Sequence, residues 1–462
     1  MSTSSALPYL GKGAEEVDTS ILQVLETALP NTFGNAARSL FMLDEEYTNL
    51  NHGSFGAVPR AVHEASDVLA RYIECNPDRY IRQEHTARID TARAVIANHI
   101  GVDRDTCVFV PGVAAGIATV LRNFQWTSQD IILCTDTIYD TISSIVKETC
   151  KGENRPQRSV FALNLPLSHS SILVQFRQHL ESLKNQVQLT VPTGTDSDTT
   201  IAGKIIVIVE SIASSPGILM PWQEMVQICR SQNAWSVVDA AHSLGQERDL
   251  NLNAVDPDFW ISNGAKWCYA KRGCAILYVP FRNQDMITSG VLPGLTYKSP
   301  GISPTRFVWQ FYWSGLMDPV PPVSIAYALK FRQHIGGEIM IQKYCHELAM
   351  EGGRRMAEIM NTSVLDSTDF ENSGELIANM VNVELPLSST TMPSDEIYLL
   401  FSQELFETYK IFSTCFFWQK KWWTRVSAQI YNEVGDFERL ANAFLDICDK
   451  FTSTAPTKPQ CS

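Results

Sequence analysis

Basic residues are scarce relative to acidic ones in this chain of 462 residues. The 37 lysines and arginines are outnumbered by 50 aspartates and glutamates, which gives a formal net charge of -13. A negative field of this size repels the phosphates of nucleic acids and the anionic lipids of membranes. We therefore predict no nucleic-acid partner and no membrane partner.

Long apolar runs and paired cysteines are missing as well. No apolar stretch reaches the roughly 18 residues that cross a bilayer, and Met1 to Pro8 lacks the basic and apolar regions of a signal peptide. We therefore expect a cytoplasmic protein. The eleven cysteines include no Cys-x-x-Cys pair and no cluster with histidine at zinc spacing. This pattern predicts buried thiols, with neither a disulfide framework nor a metal site.

Strand-like and helix-like patterns alternate through the first two thirds of the chain. Short runs rich in branched residues predict buried strands of a parallel sheet at 107–110, 131–134, 204–209 and 234–239. Apolar spacing of three and four predicts helices at 61–73, 86–100 and 221–232. The alternation predicts an α/β fold. No Gly-x-Gly-x-x-Gly follows a strand, which argues against a nicotinamide-binding enzyme.

The pattern changes near residue 326, and this change predicts the domain organisation. Residues 49–325 form the predicted large α/β domain, and 326–453 form a smaller α+β domain with a long helical start and a final helix. Residues 1–48 are predicted to pack with the smaller domain. The polar stretch 187–203 is a predicted surface loop, and 454–462 a flexible tail.

An aspartate and a lysine stand at positions suited to cofactor chemistry. Asp239 ends a predicted strand, and Lys266 follows 27 residues later. Ligands collect at the carboxyl ends of strands in α/β sheets, where a carboxylate can accept a hydrogen bond from a protonated pyridine nitrogen. A nearby lysine can form a Schiff base with an aldehyde cofactor. The turn after the strand at 107–110 can hold a phosphate through the main-chain N–H groups of Val113 and Ala114.

Longer segments carry a resemblance to a known family. They are LNHGSFGAVP (50–59), NPDRYIR (76–82), VDAAHSLGQ, SNGAKW, RGCAILYVP, YWSGLMDP and RVSAQIYNE (425–433). Through them the chain resembles the class-V aminotransferase family, in its isopenicillin N epimerase-like branch, over about residues 45 to 440. The resemblance implies a fold-type I fold, with a large three-layer α/β/α domain and a smaller α+β domain. It also implies pyridoxal 5'-phosphate (PLP) as cofactor, an amino-acid substrate and a homodimer with shared active sites.

The resemblance also implies roles for the catalytic residues. Lys266 holds PLP as a Schiff base, Asp239 pairs with the pyridine nitrogen, and His242 lies near the phenolic oxygen. Tyr139 stacks on the cofactor ring, so that Lys266, Tyr139 and His242 form the catalytic set. The alternatives are an ordinary core histidine for His242 and an ordinary core tyrosine for Tyr139.

The remaining implied residues bind the phosphate and the substrate. Arg425 matches the anchor for the substrate carboxylate, which its planar fork can bind through both oxygens, although a surface salt bridge is the alternative. The predicted phosphate ligands are Ser262, Val113 and Ala114, with Ser314 and Gly315 reaching it from a second subunit. The predicted contacts to the distal part of the substrate are Asn51, His52 and Arg82.

The chain departs from the family in ways that bear on the reaction. Ala265 replaces the usual histidine before the lysine, and the segment 386–394 lacks the mobile cysteine that a desulfurase needs. We predict a PLP enzyme that acts on an α-amino acid through external aldimine and quinonoid intermediates. We expect a carbon–carbon bond-forming cyclase of specialised, alkaloid-type metabolism. The alternatives are a carbon–sulfur lyase on a cysteine conjugate or sulfoxide, an amino-acid epimerase, and a non-catalytic scaffold.

Overall fold

The computed structural model describes residues 13–26, 29, 32–189, 203–288, 306–312, 317–367, 373–388 and 391–454. The α-helices are α1 (Ala14–Leu25), α2 (His52–Phe55), α3 (Arg60–Cys75), α4 (Pro77–Arg79), α5 (His85–His99), α6 (Val113–Asn123), α7 (Asp140–Thr149), α8 (His169–Leu189), α9 (Trp222–Ser231), α10 (Leu252–Val255), α11 (Arg306–Tyr312), α12 (Val320–His334), α13 (Gly337–Met360), α14 (Asp395–Gln403) and α15 (Val434–Thr454). The strands are β1 (Thr48–Asn49), β2 (Cys107–Val110), β3 (Ile131–Thr135), β4 (Gln157–Phe161), β5 (Ile205–Glu210), β6 (Trp235–Asp239), β7 (Phe259–Asn263), β8 (Ala275–Tyr278), β9 (Met380–Glu384), β10 (Ile411–Phe412), β11 (Thr414–Trp418) and β12 (Lys421–Ser427).

A seven-stranded sheet forms the centre of the molecule, in the order β2-β8-β7-β6-β5-β3-β4. Its strands β2, β3, β5 and β6 confirm the four predicted strands, and α3, α5 and α9 confirm the three predicted helices. The central strands are buried and rich in branched residues because helices cover the sheet.

The sheet is mixed because of β8, a strand that was not among the four predicted from the sequence. This strand runs antiparallel to both of its neighbours, β2 and β7, whereas β7, β6, β5, β3 and β4 are parallel. The connection between β7 and β8 is too short for a crossover helix, so the chain returns in the opposite direction. Lys266 lies in this return segment.

A smaller antiparallel sheet, in the order β11-β12-β9, follows in the chain and packs with α13 and α15 around its own apolar core. Strand β1 pairs with β10, which ties the N-terminal part of the chain to the C-terminal part. Helix α1 packs on α3 and α12, while Asn35 binds Glu433. The division into domains at 48/49 and 325/326 stays a prediction.

Several sequence predictions fall partly or wholly outside the described residues. They are most of the predicted loop at 187–203, of which 187–189 end α8, the residues Ser314 and Gly315, and the tail from 455 onward. Within the described ranges, no helix is both long enough and apolar enough to cross a bilayer.

Candidate active site

The predicted cofactor residues meet where β6 ends and the segment between β7 and β8 begins. Lys266 Nζ lies 3.1 Å from Nε2 of His242, which follows three residues after Asp239 at the end of β6. On the other side of the imidazole, the indole N–H of Trp267 donates to His242 Nδ1 at 3.1 Å. The imidazole is therefore held between the lysine and the residue that follows it.

The amine of Lys266 is in an environment that disfavours its charge. Burial, together with the nearby charge of Arg425, lowers the pKa of Lys266 to about 7, although the carboxylate of Asp239 opposes the shift. A lysine with so low a pKa is available as a nucleophile or base near neutral pH. Burial, together with the charges of Lys266 and Arg425, also lowers the pKa of His242 well below its usual value.

Two buried carboxyl groups lie side by side at the ends of β5 and β6. Asp239 is in register with Glu210, and its Oδ1 accepts a hydrogen bond from the N–H of Ala241 at 3.1 Å. Burial raises the pKa of Asp239, while that N–H and the charge of Lys266 oppose the shift. Glu210 accepts hydrogen bonds from the hydroxyls of Thr135 and Thr137, and burial raises its pKa to about 7.

Arg425 is a buried cation whose partners are all neutral. It lies on β12, and its side chain is 2% exposed. One terminal nitrogen donates to the carbonyl and hydroxyl oxygens of Ser214 at 2.8 and 3.2 Å. The other donates to Asn51 Oδ1 at 3.1 Å and to Ser54 Oγ at 2.7 Å, while Nε has no partner among the described residues. Such a group calls for an anion, which none of the described residues supplies.

The placement of Asn51 and His52 explains the motif at 50–59. Asn51 orients Arg425, as described above. The ring of His52 is fully buried, with Nε2 2.8 Å from the carbonyl oxygen of Lys266 and Nδ1 2.9 Å from the hydroxyl of Tyr431. Burial lowers the pKa of His52 to about 3. Both ring nitrogens thus have partners within the chain, and His52 holds the backbone of Lys266 in place.

Gly56 shows why this motif needs a glycine. Its φ is +67°, and a Cβ at this position would collide with the carbonyl oxygen of Ala265. Any side chain here would displace the segment that carries Lys266.

Tyr139 and the start of α6 border the same site. Tyr139 caps α7 and is 52% exposed, and its electrostatic interaction with Arg425 opposes the lowering of the pKa of that arginine by burial. It is not an ordinary core tyrosine. Val113 and Ala114 form the first turn of α6, and a Cβ on Gly112 before them would meet nothing within 4 Å. The first turn of a helix offers N–H groups without partners in the helix.

The remaining predicted residues are placed differently. Ser262 is buried in β7, and its Oγ accepts a hydrogen bond from the N–H of Leu244 at 3.2 Å. Arg82 is exposed and forms an ion pair with Asp78, four residues earlier, at 3.0 Å. Its predicted role and that of His52 at the substrate stay predictions.

Four residues of the site were not given a role from the sequence. They are Trp267, Glu210, Ser54 and Ser214. Each lies within or beside a segment already singled out, but the sequence holds no signal for which neighbour each side chain contacts. Those contacts depend on loops that meet only in the folded chain.

Comparisons with known proteins show which family the chain belongs to. The aminotransferase class-V family model matches residues 180–391. Hercynylcysteine sulfoxide lyase from Schizosaccharomyces pombe is 30% identical over 421 residues, which cover 90% of this chain and 98% of that protein. The chain belongs to the class-V aminotransferase family. A second relative of this class-V enzyme, the L-cysteine desulfhydrase-like protein lolT1 of Epichloe uncinata, is 30% identical over 456 residues, with coverage of 90% and 96%.

Solved structures confirm the fold of the class-V enzyme. C-DES with glycine covalently linked to its PLP cofactor matches with a TM-score of 0.69 at 17% identity, over 88% of this chain and 99% of that one. The fold is therefore the fold-type I fold expected from the sequence, and the cofactor is PLP. The protein is a PLP-dependent enzyme whose relatives include lyases.

Proposed function

We propose that this enzyme is a carbon–sulfur lyase that acts on an S-substituted cysteine or its sulfoxide. The observation that carries the proposal is the pairing of a low-pKa lysine with a buried arginine that lacks an anion, in a site without a reactive thiol. The two relatives described above, named for a sulfoxide lyase and a desulfhydrase-like protein, support it.

The polar groups of the site fit PLP. In this proposal Lys266 binds the aldehyde carbon, Asp239 accepts a hydrogen bond from the ring nitrogen, and Tyr139 covers the ring with its exposed face. PLP, when bound, supplies an electron sink for the carbon next to the amino group. His242 lies beside Lys266 and is suited to contact the phenolic oxygen.

The phosphate of PLP fits the start of α6. Val113 and Ala114 begin α6, the space beside Gly112 is open, and a helix N-terminus favours an anion. Ser262 is buried on β7 and is proposed as a further ligand. Ser314 and Gly315 are proposed to reach the phosphate from the second subunit of a homodimer.

Arg425 and Lys266 have different roles toward the substrate in this proposal. The guanidinium binds the carboxylate of the amino acid and fixes its orientation. Once the substrate amine has displaced Lys266 from the cofactor, the freed Nζ would take the proton from Cα, and the bond between Cβ and sulfur would break. With one water molecule, a thioether yields a thiol, pyruvate and ammonia, and a sulfoxide yields a sulfenic acid in place of the thiol.

The environment of the cysteines favours a lyase over a desulfurase that keeps sulfur on its own thiol. Cys268 lies two residues after Lys266, but burial raises its pKa to about 12. Burial also raises the pKa of Cys415, and the segment 386–394 contains no cysteine. Because the thiolate is the nucleophile, these thiols are poor acceptors of sulfur.

A cyclase that forms a carbon–carbon bond, as expected from the sequence, is the second candidate. It needs the same lysine, aspartate and arginine, and differs in what becomes of the amino group. A cyclase retains the amine in its product, whereas the lyase releases ammonia.

The test combines cofactor loading with product analysis. Purified enzyme loaded with PLP is incubated with S-alkyl cysteines and their sulfoxides, and pyruvate and ammonia are measured. Lys266→Ala should abolish turnover and the borohydride-sensitive absorbance, while Lys271→Ala, a lysine of the same segment, should retain both. Amine-retaining products without pyruvate would favour the cyclase. Loaded enzyme that turns over none of these substrates would refute the lyase.

A further inference from the structure

The bond between Trp267 and His242 constrains where the imidazole carries its proton. An indole nitrogen is a donor only, so His242 Nδ1 must accept the hydrogen bond measured at 3.1 Å. A neutral imidazole has one N–H. The proton of His242 therefore lies on Nε2, the atom that is 3.1 Å from Lys266 Nζ.

A second proton on His242 would break this arrangement. It would place an N–H of the ring directly against the N–H of Trp267. The ring is 1% exposed. The charge of Arg425, and that of Lys266 whenever its amine is protonated, disfavour a second proton on the ring. Geometry and charge thus oppose the imidazolium together.

The indole itself is firmly held. Trp267 is buried in a small apolar cluster with Ile212, Ala378 and Met380. Its carbonyl oxygen accepts a hydrogen bond from Arg332 at 2.8 Å. The donor that faces His242 is therefore fixed from the backbone and from the ring.

We propose that Trp267 is a positioning residue that locks His242 in its Nε2–H tautomer, so that His242 acts as a hydrogen-bond donor and not as an acid or base. In the cofactor-free enzyme it donates to Lys266 Nζ, which must then be unprotonated. In the loaded enzyme it donates to the phenolic oxygen of PLP, and this second statement rests on the cofactor contacts proposed above. By fixing the tautomer of His242, Trp267 would keep His242 and its acceptor, Lys266 Nζ or the phenolic oxygen, each in one protonation state.

The proposal is tested by 15N NMR of histidine-labelled, cofactor-free enzyme, with the His242 signal assigned by loss in His242→Asn. The wild type should show an unprotonated Nδ1 that does not titrate between pH 6 and 9, a range set by the ordinary histidine pKa of about 6.5. Trp267→Phe, which keeps an aromatic ring and removes the N–H, should give mixed tautomers. In the loaded enzyme it should also shift the pH midpoint of the visible absorbance.

The matched control is Trp126→Phe, which removes an indole hydrogen bond of 2.9 Å to the carbonyl of Leu121, in another part of the molecule. It should leave the His242 signal and the absorbance midpoint unchanged. A protonated Nδ1 in the wild type would overturn the proposal, even if Trp267→Phe failed to fold. So would a folded Trp267→Phe with an unaltered tautomer. The NMR result does not depend on lyase activity, so the two proposals can fail separately.

Discussion

Arg332 and Arg425 are both buried arginines, yet their surroundings are opposite. Arg332 binds both carboxylate oxygens of Glu338 at 2.6 Å and the carbonyl oxygens of Trp267 and Gly245 at 2.8 and 3.2 Å. Among the residues that the structure describes, Arg425 has only hydroxyl, amide and carbonyl partners. The charge of Glu338 raises the pKa of Arg332, whereas burial lowers the pKa of Arg425 to about 10. The comparison supports the proposed role of Arg425 as a binding site, because Arg332 has a counter-ion whereas no described residue supplies one to Arg425.

The largest expected effect is the loss of stability in Arg332→Ala. Removing one partner of a buried ion pair leaves the other uncompensated, so we expect the free energy of unfolding to fall by about 3–5 kcal/mol. Urea denaturation measures the change. Arg354→Ala removes an exposed pair with Glu358 and should cost less than about 0.5 kcal/mol. Similar losses of unfolding free energy in Arg332→Ala and Arg354→Ala would show that the buried pair of Arg332 contributes no more than an exposed pair.

Arg425→Ala should show the reverse pattern. We expect kcat/KM for the amino-acid substrate to fall by roughly a hundredfold to a thousandfold, about 3–4 kcal/mol, because the substrate carboxylate loses its buried partner. The free energy of unfolding should change by less than about 1 kcal/mol, since no carboxylate of the described chain is left unpaired. Steady-state kinetics and urea denaturation give both numbers. A loss of stability with unchanged kinetics would remove Arg425 from the substrate site.

Glu210 extends the comparison to a buried acid without a cation. Its pKa is raised to about 7 in the folded chain, with Asp239 and Asp136 as the acids that face it. The folded state therefore binds a proton that the unfolded chain loses near pH 4.5, and this group lowers stability as pH rises from about 4.5 to about 7. Glu210→Gln should flatten that decline and be more stable than the wild type at pH 8 by about 2–3 kcal/mol. If the curves of unfolding free energy against pH ran parallel in the wild type and Glu210→Gln, the raised pKa of Glu210 would be refuted.

The smallest expected effect is on Lys266. Because the charge of Arg425 lowers the pKa of Lys266, Arg425→Gln should raise it. The pH dependence of the rate at which cofactor-free enzyme takes up PLP reports this pKa, since only the unprotonated amine reacts. The midpoint should move to higher pH in Arg425→Gln and stay in place in Arg82→Gln, where an exposed charge is removed. Equal midpoints in all three proteins would show that the two cations do not interact.

The sequence predicts the strands of the sheet well, and it predicts Asp239 at the end of one of them, for a physical reason. Buried strands need continuous branched residues, and the ends of β5 and β6 bring Asp239 to one edge of the sheet whatever the surrounding loops do. The direction of β8 could not be predicted, because an apolar run carries no sign of parallel or antiparallel pairing.

The contacts that hold the site residues in place could not be predicted from the sequence, for a different reason. Asn51 contacts Arg425 across 374 positions of the chain, and nothing local in either segment specifies the other. His52 resembles an active-site histidine in sequence, yet its ring binds the backbone of Lys266 and the hydroxyl of Tyr431.

That long separation has a consequence for synthesis of the protein. The strands of the large sheet and the lysine segment leave the ribosome before Arg425 does, and domains fold as units in the order in which they emerge. A nascent chain can therefore acquire its cofactor pocket while it is still unable to recognise a carboxylate. In the proposed role of Arg425, carboxylate recognition is the last part of the site to be completed, because Arg425 must first meet Asn51 and Ser54.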